Sequence, residues 1–263
     1  MSQKTKKTFH KRPQHEEETE TTLYEGRNEV MELLRAGRTV DKLFVAPDQN
    51  GRMADIVAMA KAAGAVVTQV DRRKLDAMSE TGVHQGVIAQ AAAHEYVSLE
   101  DILQTAADRG EQPLIMICDG LTDPHNLGAI IRTAGAAGAH GVVIPKHRSV
   151  GLTATVAKAS AGAINYTPVA KVTNLSQTIE TLKQEGMWFV CADMGGSTMY
   201  DLNLTGPIGL VMGNEGSGVS DLVKKHCDFV ASIPMKGDID SLNVSVATGV
   251  LTYEIVRQRL LKK

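Results

Sequence analysis

Short apolar runs alternate with segments of helical spacing along most of the chain. In its first part, runs at residues 42–46, 66–70 and 86–90 predict strands, and segments of helical spacing predict the helices that accompany them. This alternation predicts a small α/β sandwich of about 75 residues. His84-Gln85-Gly86 lies at the start of the third run and is interpreted as a turn.

From Pro113 onward the apolar runs become more continuous. Five such runs lie at residues 114–118, 141–144, 188–192, 208–212 and 229–233. Several of them barely alternate between apolar and polar residues, which is typical of strands covered on both faces. Segments of helical spacing separate them, at residues 127–137, 153–161, 175–185, 220–226 and 245–261. This order predicts a mainly parallel α/β sheet with helices on both sides. Ligands of such sheets lie in the loops at the carboxyl ends of the strands.

These patterns divide the chain into four parts. Residues 1–20 carry almost no large apolar side chains and are expected to form a disordered tail. Residues 21–93 form the first domain, residues 94–112 a linker with one short helix, and residues 113–263 the second domain. Basic residues crowd the start of the tail, and such an arm can contact phosphate groups. A solvated tail without a specific role is the alternative.

Composition narrows the class of protein. The chain has 263 residues, a formal net charge of −2 and 43% hydrophobic residues, which is typical of a soluble globular protein. No apolar run approaches the roughly 18 residues that a membrane-spanning helix needs, and the polar N-terminus predicts no secretory signal. Cys118, Cys191 and Cys227 are far apart and form no CxxC pattern. This argues against a disulfide framework or a zinc site and predicts a cytoplasmic protein.

A glycine-rich loop, Gly213-Asn-Glu-Gly-Ser-Gly218, follows one predicted strand and precedes a predicted helix. Its GxxGxG spacing differs from the GxGxxG of dinucleotide-binding loops, and no Lys-Ser or Lys-Thr of a P-loop follows. Glu215 would repel a pyrophosphate but tolerates a cationic ligand, such as the sulfonium of S-adenosylmethionine. A tight turn without a ligand is the alternative interpretation.

Two further loops carry candidate functional residues. Asp123-Pro-His-Asn-Leu-Gly128 leads into a helix that Asn126 can cap and that carries Arg132 on its first or second turn. Arg132 suits bidentate contact with a phosphate or ribose, although a solvated surface arginine is the alternative. Ser241-Leu-Asn-Val-Ser245 opens the last predicted helix and is either an N-terminal cap or one wall of a ligand pocket.

Together, the segments 126–132, 213–216 and 241–245 resemble the three signature motifs of the SpoU/TrmH-type family of RNA methyltransferases, in the family's order and with similar separations. The resemblance covers roughly residues 113–263, and the first domain resembles the ribosomal-protein-like RNA-binding module of many members. It implies a SPOUT-type sheet with a C-terminal trefoil knot, a homodimer, and S-adenosylmethionine as cofactor without a metal. The layout is most similar to members that methylate a guanosine of large-subunit ribosomal RNA.

The resemblance also implies roles for individual residues. Arg132 is the candidate for transferring the proton of the ribose hydroxyl or for holding the adjacent phosphate. Asn126 and Glu215 would position Arg132. Ser241 and Asn243 would hold the substrate or the loop. Residues 193–196 are expected to form another wall of the pocket, and the implied cofactor-binding residues are Ala192, Gly213, Asn214, Gly218, Ile233, Met235 and Leu242.

The sequence therefore predicts an S-adenosylmethionine-dependent RNA 2′-O-ribose methyltransferase that acts on a guanosine of 23S rRNA. A transfer RNA is the alternative substrate. Two functions from other classes stay open at this point: a non-catalytic RNA-binding or ribosome-assembly protein that keeps the fold, and a nucleotide-dependent oxidoreductase. RNA and a second copy of the chain are the expected partners, and neither a metal nor a membrane is expected.

Overall fold

The computed structural model describes residues 23–47 and 51–262, which fold around two separate β-sheets. The tail expected at residues 1–20, with its basic cluster, lies outside the described residues. Within the described ranges, no helix is both long enough and apolar enough to span a membrane.

Residues 23–91, hereafter the N-terminal module, build a four-stranded mixed sheet. Its elements are β1 (Leu23–Glu25), α1 (Arg27–Arg35), β2 (Val40–Val45), α2 (Arg52–Ala62), β3 (Val66–Gln69), α3 (Arg72–Met78) and β4 (Val87–Ala91). The strand order is β1-β4-β2-β3; β2 and β3 are parallel, and the other two pairs are antiparallel. α1 and α2 cover one face of the sheet, where Val30, Leu43 and Ile56 are fully buried.

Residues 114–261, hereafter the C-terminal module, build a six-stranded sheet in which every pair of neighbouring strands is parallel. Helix α4 (Leu99–Arg109) precedes it. The order of its strands is β10-β8-β9-β5-β6-β7. Its elements are β5 (Leu114–Cys118), α5 (Pro124–Ala136), β6 (Gly141–Pro145), α6 (Ala154–Ala159), β7 (Val169–Val172), α7 (Leu175–Gln184), β8 (Trp188–Thr198), β9 (Ile208–Met212), α8 (Asp221–His226), β10 (Phe229–Ser232) and α9 (Val244–Leu261).

The central strand β5 is buried on both faces. Leu114 and Met116 pack into an apolar cluster with α5 and α9, whereas Ile115 and Ile117 pack on the opposite face with α4 and α7. Full burial of one such side chain stabilises the fold by about 1.5–3 kcal/mol. The double covering explains why the run at 114–118 does not alternate, and the mainly parallel α/β sheet predicted from the sequence is confirmed.

The sheet differs from the predicted one at both edges. β7 (Val169–Val172) is a sixth strand that the apolar pattern did not predict, because the run is short and Lys171 interrupts it. β8 was predicted to end at residue 192, but it continues to Thr198, where its polar second half pairs with β10 after a shift in register. Among the described strands, this second half pairs with the edge strand β10 but not with β9, whose pairing with β8 covers residues 188–191.

Helix α5 begins earlier than predicted, which moves two candidate residues. Asp123, rather than Asn126, caps the helix: its Oδ1 accepts a hydrogen bond from His125 N at 2.8 Å, and Pro124 occupies the first helical position. Asn126 is therefore the third residue of the helix and is buried. Arg132 is the ninth, so it lies in the third turn instead of the first or second.

Candidate active site

The glycine-rich loop after β9 closes on itself. Asn214 N donates to Gly218 O at 3.0 Å, and Gly218 N donates to Asn214 O at 2.8 Å. Gly213 has no space for a side chain, because a Cβ there would overlap the backbone of Gly218 and Val219. Gly218 adopts a φ of +67°, which favours glycine. The loop is a tight turn whose shape depends on its glycines, so only its surroundings can show whether it serves a ligand.

Three residues from the three predicted motif segments meet beside this turn and form the amide–carboxylate cluster, which consists of Asn126, Glu215 and Asn243. Asn126 Nδ2 donates to Glu215 Oε1 at 2.6 Å, and Asn243 Nδ2 donates to the same oxygen at 2.8 Å. Asn243 Nδ2 also donates to Asn126 Oδ1 at 3.0 Å. The bonds join positions 89 and 117 residues apart. The cluster therefore fixes the three predicted motif loops relative to one another.

Asn243 also begins the last helix. Its Oδ1 accepts hydrogen bonds from Ser245 N at 2.9 Å and from Val246 N at 3.4 Å, which caps α9. Because both ends of the amide are bonded, its orientation is fixed. Ser241 takes no part in the cap; it is exposed and lines the neighbouring cavity. The segment 241–245 thus contains a cap at Asn243 and a residue at Ser241 that lines a cavity.

A cavity of about 460 Å³ lies at the carboxyl ends of β9 and β10 and beside the middle of β8. Its apolar part is formed by Met212, Ala231, Val244 and Leu251, all of which are buried. Of the five residues predicted to be catalytic, Glu215 and Ser241 line the cavity. Asn126, Asn243 and Arg132 do not. All of the residues that the sequence assigned to the cofactor line this cavity: Ala192, Gly213, Asn214, Gly218, Ile233, Met235 and Leu242.

The wall of the cavity is acidic. Asp193, Glu215 and Asp240 line it, and none of the described residues that line it is basic. Lys224 Nζ donates to Asp193 Oδ2 at 2.7 Å, and this bond, with the backbone N–H of Gly195, keeps the pKa of Asp193 below its ordinary value. Such a wall attracts a cationic ligand and repels a pyrophosphate. The charge therefore argues against a dinucleotide-dependent oxidoreductase.

Several residues of the site were not identified from the sequence. Asp240, Ala247 and Leu251 line the cavity, and no motif marks them, although helical spacing from Val244 places the last two on one face of α9. Asp119 is a further case: its Oδ2 accepts hydrogen bonds from Ser220 N at 2.8 Å and Ser220 Oγ at 2.6 Å. This link ties the loop after β5 to the start of α8. The position of Asp119 directly after the buried strand β5 was the one feature of the sequence that could have indicated its role.

The arrangement of these loops can be compared with known proteins. A model described as the SpoU rRNA Methylase family matches residues 113–253. A second model, described as RNA 2′-O ribose methyltransferase substrate binding, matches residues 23–97. The chain belongs to the SpoU rRNA methylase family. This membership confirms the resemblance seen in the motifs and the prediction of an RNA methyltransferase that uses S-adenosylmethionine.

Relatives of this SpoU-family chain match it over most of its length. YacO of Bacillus subtilis, assigned to the TrmH family of tRNA/rRNA methyltransferases, is 49% identical over 237 residues, which cover 89% of this chain and 94% of the relative. The 23S rRNA (guanosine-2′-O-)-methyltransferase RlmB of Pseudomonas aeruginosa is 46% identical over 225 residues, which cover 84% and 90%. Similarity of this extent includes both modules of the chain.

Solved structures of related proteins share the fold. The AdoMet-bound rRNA methyltransferase of Sinorhizobium meliloti has a TM-score of 0.56 and 26% identity, with 90% of this chain and 88% of that chain covered. The SpoU methyltransferase AviRb of Streptomyces viridochromogenes, solved with AdoMet, has a TM-score of 0.59 at 24% identity, with 91% and 90% covered. AviRb therefore supports the fold alone.

One residue that the SpoU-family resemblance places in the site stands apart from it. Arg132 is exposed on α5, and within the described residues it forms no hydrogen bond with Asn126 or Glu215. Six residues of a helix turn through about 600° and rise about 9 Å, which separates Arg132 from Asn126 in both direction and height. The structure brings the other predicted residues together at the loops, but it leaves the Arg132 guanidinium accessible on the neighbouring helix face.

Proposed function

We propose that this SpoU-family enzyme transfers a methyl group from S-adenosylmethionine to the 2′-hydroxyl of a guanosine in 23S rRNA. The observation that carries the proposal is the acidic cavity lined by the glycine-rich turn, next to the amide–carboxylate cluster. RlmB of P. aeruginosa, which is 46% identical, is named for this substrate. The match of residues 23–97 to an RNA substrate-binding model supports a large RNA as the methyl acceptor.

The residues around the cavity fit the cofactor's chemistry. Leu242 and Met235 are 40% and 36% exposed at the cavity, and a bound adenosine would cover such apolar side chains. Gly213, Asn214 and Gly218 form one wall with the tight turn, while Ala192 and Ile233 complete the lining. When bound, S-adenosylmethionine supplies a methyl group that the sulfonium charge activates. The carboxylates along the wall favour that charge.

The chain's own residues are proposed to align the ribose hydroxyl and assist the loss of its proton. In-line transfer requires the two reacting atoms about 3–3.5 Å apart, and holding them there supplies much of the rate enhancement. Arg132 would bind the phosphate beside the target ribose through its planar guanidinium. Because the guanidinium of an arginine is always charged in proteins, it would act as a cation that stabilises the developing oxyanion. The proton would leave to solvent as the new bond forms.

The remaining candidate residues are proposed to hold the geometry. Asn126 and Glu215 keep the first turn of α5 and the glycine-rich turn together, as their 2.6 Å hydrogen bond indicates. Asn243 adds the start of α9 to the same cluster. Ser241, exposed at the cavity, is proposed to contact the substrate.

The division of labour along the chain is proposed as well. Residues 21–93 would bind RNA, residues 94–112 would link the domains, and residues 113–263 would carry out the transfer. A trefoil knot in the last part is supported by the path of the chain. It leaves β10 at the edge of the sheet and returns to the loops after β5 and β9 before α9 begins.

A homodimer is proposed from one face of α9. Val246, Tyr253 and Leu260 follow each other at intervals of seven residues and are 51%, 51% and 63% exposed. Residues at this spacing lie on one side of a helix and suit a helix–helix contact. Sedimentation equilibrium would show a dimer if this face is buried in solution. A cytoplasmic location is proposed because ribosomal RNA is the substrate.

The proposal is tested by mapping ribose methylation in a strain that lacks the enzyme. We expect one guanosine of 23S rRNA to lose its 2′-O-methyl group and to regain it when the purified protein is added with S-adenosylmethionine. Loss of a methyl group from a transfer RNA instead would move the substrate to that class. An unchanged methylation map, together with unmodified RNA after incubation in vitro, would favour a non-catalytic RNA-binding protein.

A further inference from the structure

The two modules meet at a buried ionic contact, hereafter the junction cluster, which consists of Asp41, Tyr96 and Lys171. Asp41 lies on β2 of the N-terminal module and is 2% exposed. Its Oδ1 forms an ion pair with Lys171 Nζ on β7 of the C-terminal module and accepts a hydrogen bond from the Tyr96 hydroxyl at 2.8 Å. Lys171 Nζ also lies 4.9 Å from the centre of the Tyr96 ring. The contact joins residues 130 positions apart.

The loop between β6 and α6 is shaped around this cluster. Leu152 N donates to the Tyr96 hydroxyl at 2.9 Å. A side chain at Gly151 would place its Cβ 2.7 Å from Asp41 Cγ and 2.9 Å from the Tyr96 oxygen, so only glycine lets the carboxylate approach. Burial and the Asp41 charge hold the pKa of Tyr96 well above its ordinary value. The hydroxyl therefore remains protonated and donates to Asp41.

The chain between the modules is bonded to both of them. Ala92 N donates to Thr39 O of the N-terminal module at 2.9 Å. Ala93 N donates to Leu152 O at 2.6 Å, and Val97 N donates to Val169 O at 2.9 Å. Val97 also forms an isolated parallel bridge with Ala170 beside β7. A freely moving tether would lack these bonds, so this segment fixes the junction.

An ion pair buried at such a junction defines one relative orientation of the modules. Apolar surfaces tolerate small sliding movements, whereas a displaced Asp41 or Lys171 would be a desolvated charge without its partner. Asp41 Oδ2 already lacks a hydrogen-bond partner among the described residues, so the carboxylate depends on Lys171 and Tyr96. Polar contacts inside an interface can specify geometry in this way, even where they add little stability.

The junction is also next to the loop that leads into α5. Val150, adjacent to Gly151, donates its N–H to Leu121 O at 2.8 Å, and Ser149 Oγ donates to the same oxygen at 3.0 Å. Gly120 O in turn accepts a hydrogen bond from Asn214 Nδ2 of the glycine-rich turn at 3.0 Å. The loop between β6 and α6, which contacts the N-terminal module, is therefore connected to the cavity through the loop before α5. One set of hydrogen bonds joins the two loops, and a second joins the loop before α5 to Asn214 of the cavity wall.

We propose that Asp41, Tyr96 and Lys171 are positioning residues that lock the RNA-binding module onto the methyltransferase module and thereby determine which ribose reaches the cavity. The inference rests on the proposed methylation of rRNA. RNA held by the N-terminal module is presented at a fixed distance and angle from the bound cofactor. These three residues would affect which ribose is placed at the cavity and not the binding of the cofactor, because none of them lines the cavity.

The test compares Lys171→Ala with wild type in the full chain. We expect affinity for S-adenosylmethionine within twofold and affinity for 23S rRNA within threefold. The single-turnover rate at saturating RNA should fall at least tenfold, and methyl groups should spread to neighbouring riboses. Small-angle X-ray scattering should show a broader distribution of distances, because the modules are no longer locked. Lys171→Arg, which keeps the charge, should recover part of the rate.

Two further variants keep the test decisive. Lys183→Ala is the matched control: Lys183 Nζ lies 2.8 Å from Asp228 Oδ1 in a partly buried ion pair within the C-terminal module, and its loss should leave scattering and target choice unchanged. Tyr96→Phe keeps the ring beside Lys171 but removes the hydroxyl. It should lower the rate in the same direction by about threefold, which corresponds to about 0.65 kcal/mol, if Lys171→Ala does not fold.

Wild-type scattering and wild-type target choice in Lys171→Ala would overturn the lock. Parallel losses of cofactor affinity, RNA affinity and rate in both Lys171→Ala and Tyr96→Phe would also overturn it, because they would indicate a general structural defect. If the wild-type enzyme does not methylate rRNA, the proposed function fails instead. The scattering comparison still decides in that case whether the junction cluster locks the modules.

Discussion

The molecule contains two polar clusters that join distant parts of the chain, and they are built differently. The amide–carboxylate cluster holds one carboxylate between two neutral amides, and both Glu215 and Asn243 are exposed. The junction cluster pairs a full negative and a full positive charge, with Asp41 2% exposed. The first leaves an open surface beside a cavity, and the second is closed. The comparison separates a cluster that holds a site open from one that holds two modules together.

The energetic consequences of the two designs also differ. A hydrogen bond from a neutral amide to a carboxylate contributes about 1.5–3 kcal/mol to the free energy of unfolding. Removing one partner of a buried ion pair costs about 3–5 kcal/mol, because the other charge stays buried without compensation. Variants of the junction should therefore affect stability and orientation of the modules, whereas variants around the cavity should affect binding and rate. The following predictions test this separation.

The largest effect is expected for Leu242→Arg, which should abolish detectable binding of S-adenosylmethionine. Leu242 lines the acidic cavity, and an arginine there would both fill it and repel the sulfonium. Calorimetric titration measures the loss. Ile239→Arg is the matched control, because Ile239 is 71% exposed in the same loop but does not line the cavity. Equal binding by wild type and Leu242→Arg would place the cofactor elsewhere.

The next effect is expected for Arg132→Ala. If Arg132 binds the phosphate beside the target ribose, the single-turnover rate should fall by two or more orders of magnitude, on the order of 3 kcal/mol. Affinity for S-adenosylmethionine should change less than twofold, since Arg132 does not line the cavity. Arg132→Lys should recover little, because an ammonium lacks the planar fork. A wild-type rate in Arg132→Ala would reduce Arg132 to a surface arginine.

A smaller effect is expected for Asn126→Ala. It removes one hydrogen bond to the Glu215 carboxylate and one to the Asn243 amide, so the free energy of unfolding should fall by about 1.5–3 kcal/mol. Urea denaturation measures this loss. Lys171→Ala provides the comparison and should lose clearly more. If the two variants lose the same amount, the proposed difference between the clusters is wrong.

The smallest effect is expected for Asp193→Asn and concerns how the free energy of unfolding changes at acid pH. The Asp193 carboxylate, bonded by Lys224, has a lowered pKa. A group whose pKa is lower in the folded state stabilises the fold above its unfolded pKa of about 3.9 and loses this contribution as the pH falls further. Asp193→Asn should therefore lower the urea midpoint slightly at pH 7 and flatten its decrease below about pH 4. If the urea midpoint of Asp193→Asn and that of wild type change with pH in the same way, this prediction is wrong.

The sequence predicted the parallel sheet and the location of the cavity for physical reasons. Apolar runs without alternation indicate strands buried on both faces, and the carboxyl ends of such strands converge at one edge. The resemblance to the SpoU/TrmH-type family implied the cofactor-binding residues, from Ala192 to Leu242, all of which line the cavity. The hydrogen bonds among Asn126, Glu215 and Asn243 depend on tertiary folding, so no local pattern predicted them.

The junction cluster and the missed strand β7 have a common explanation. A lysine within a short run indicates a solvent-facing position in a sequence pattern, and Lys171 therefore concealed the strand. In the structure this lysine is nearly buried because it meets Asp41, which lies 130 positions earlier in the chain. Pairs of buried charges become recognisable only when both partners are placed. The position of Arg132 was misjudged for a local reason, because the helix begins at Pro124.

The central claim is methyl transfer from S-adenosylmethionine to a ribose hydroxyl of RNA at this cavity. It is tested most directly by one single-turnover reaction with methyl-labelled S-adenosylmethionine and unmethylated 23S rRNA, followed by digestion of the RNA to nucleosides. The account predicts that the label appears in 2′-O-methylguanosine with the wild-type enzyme and is absent with Leu242→Arg. Label on a nucleobase, or equal transfer by Leu242→Arg, would contradict it.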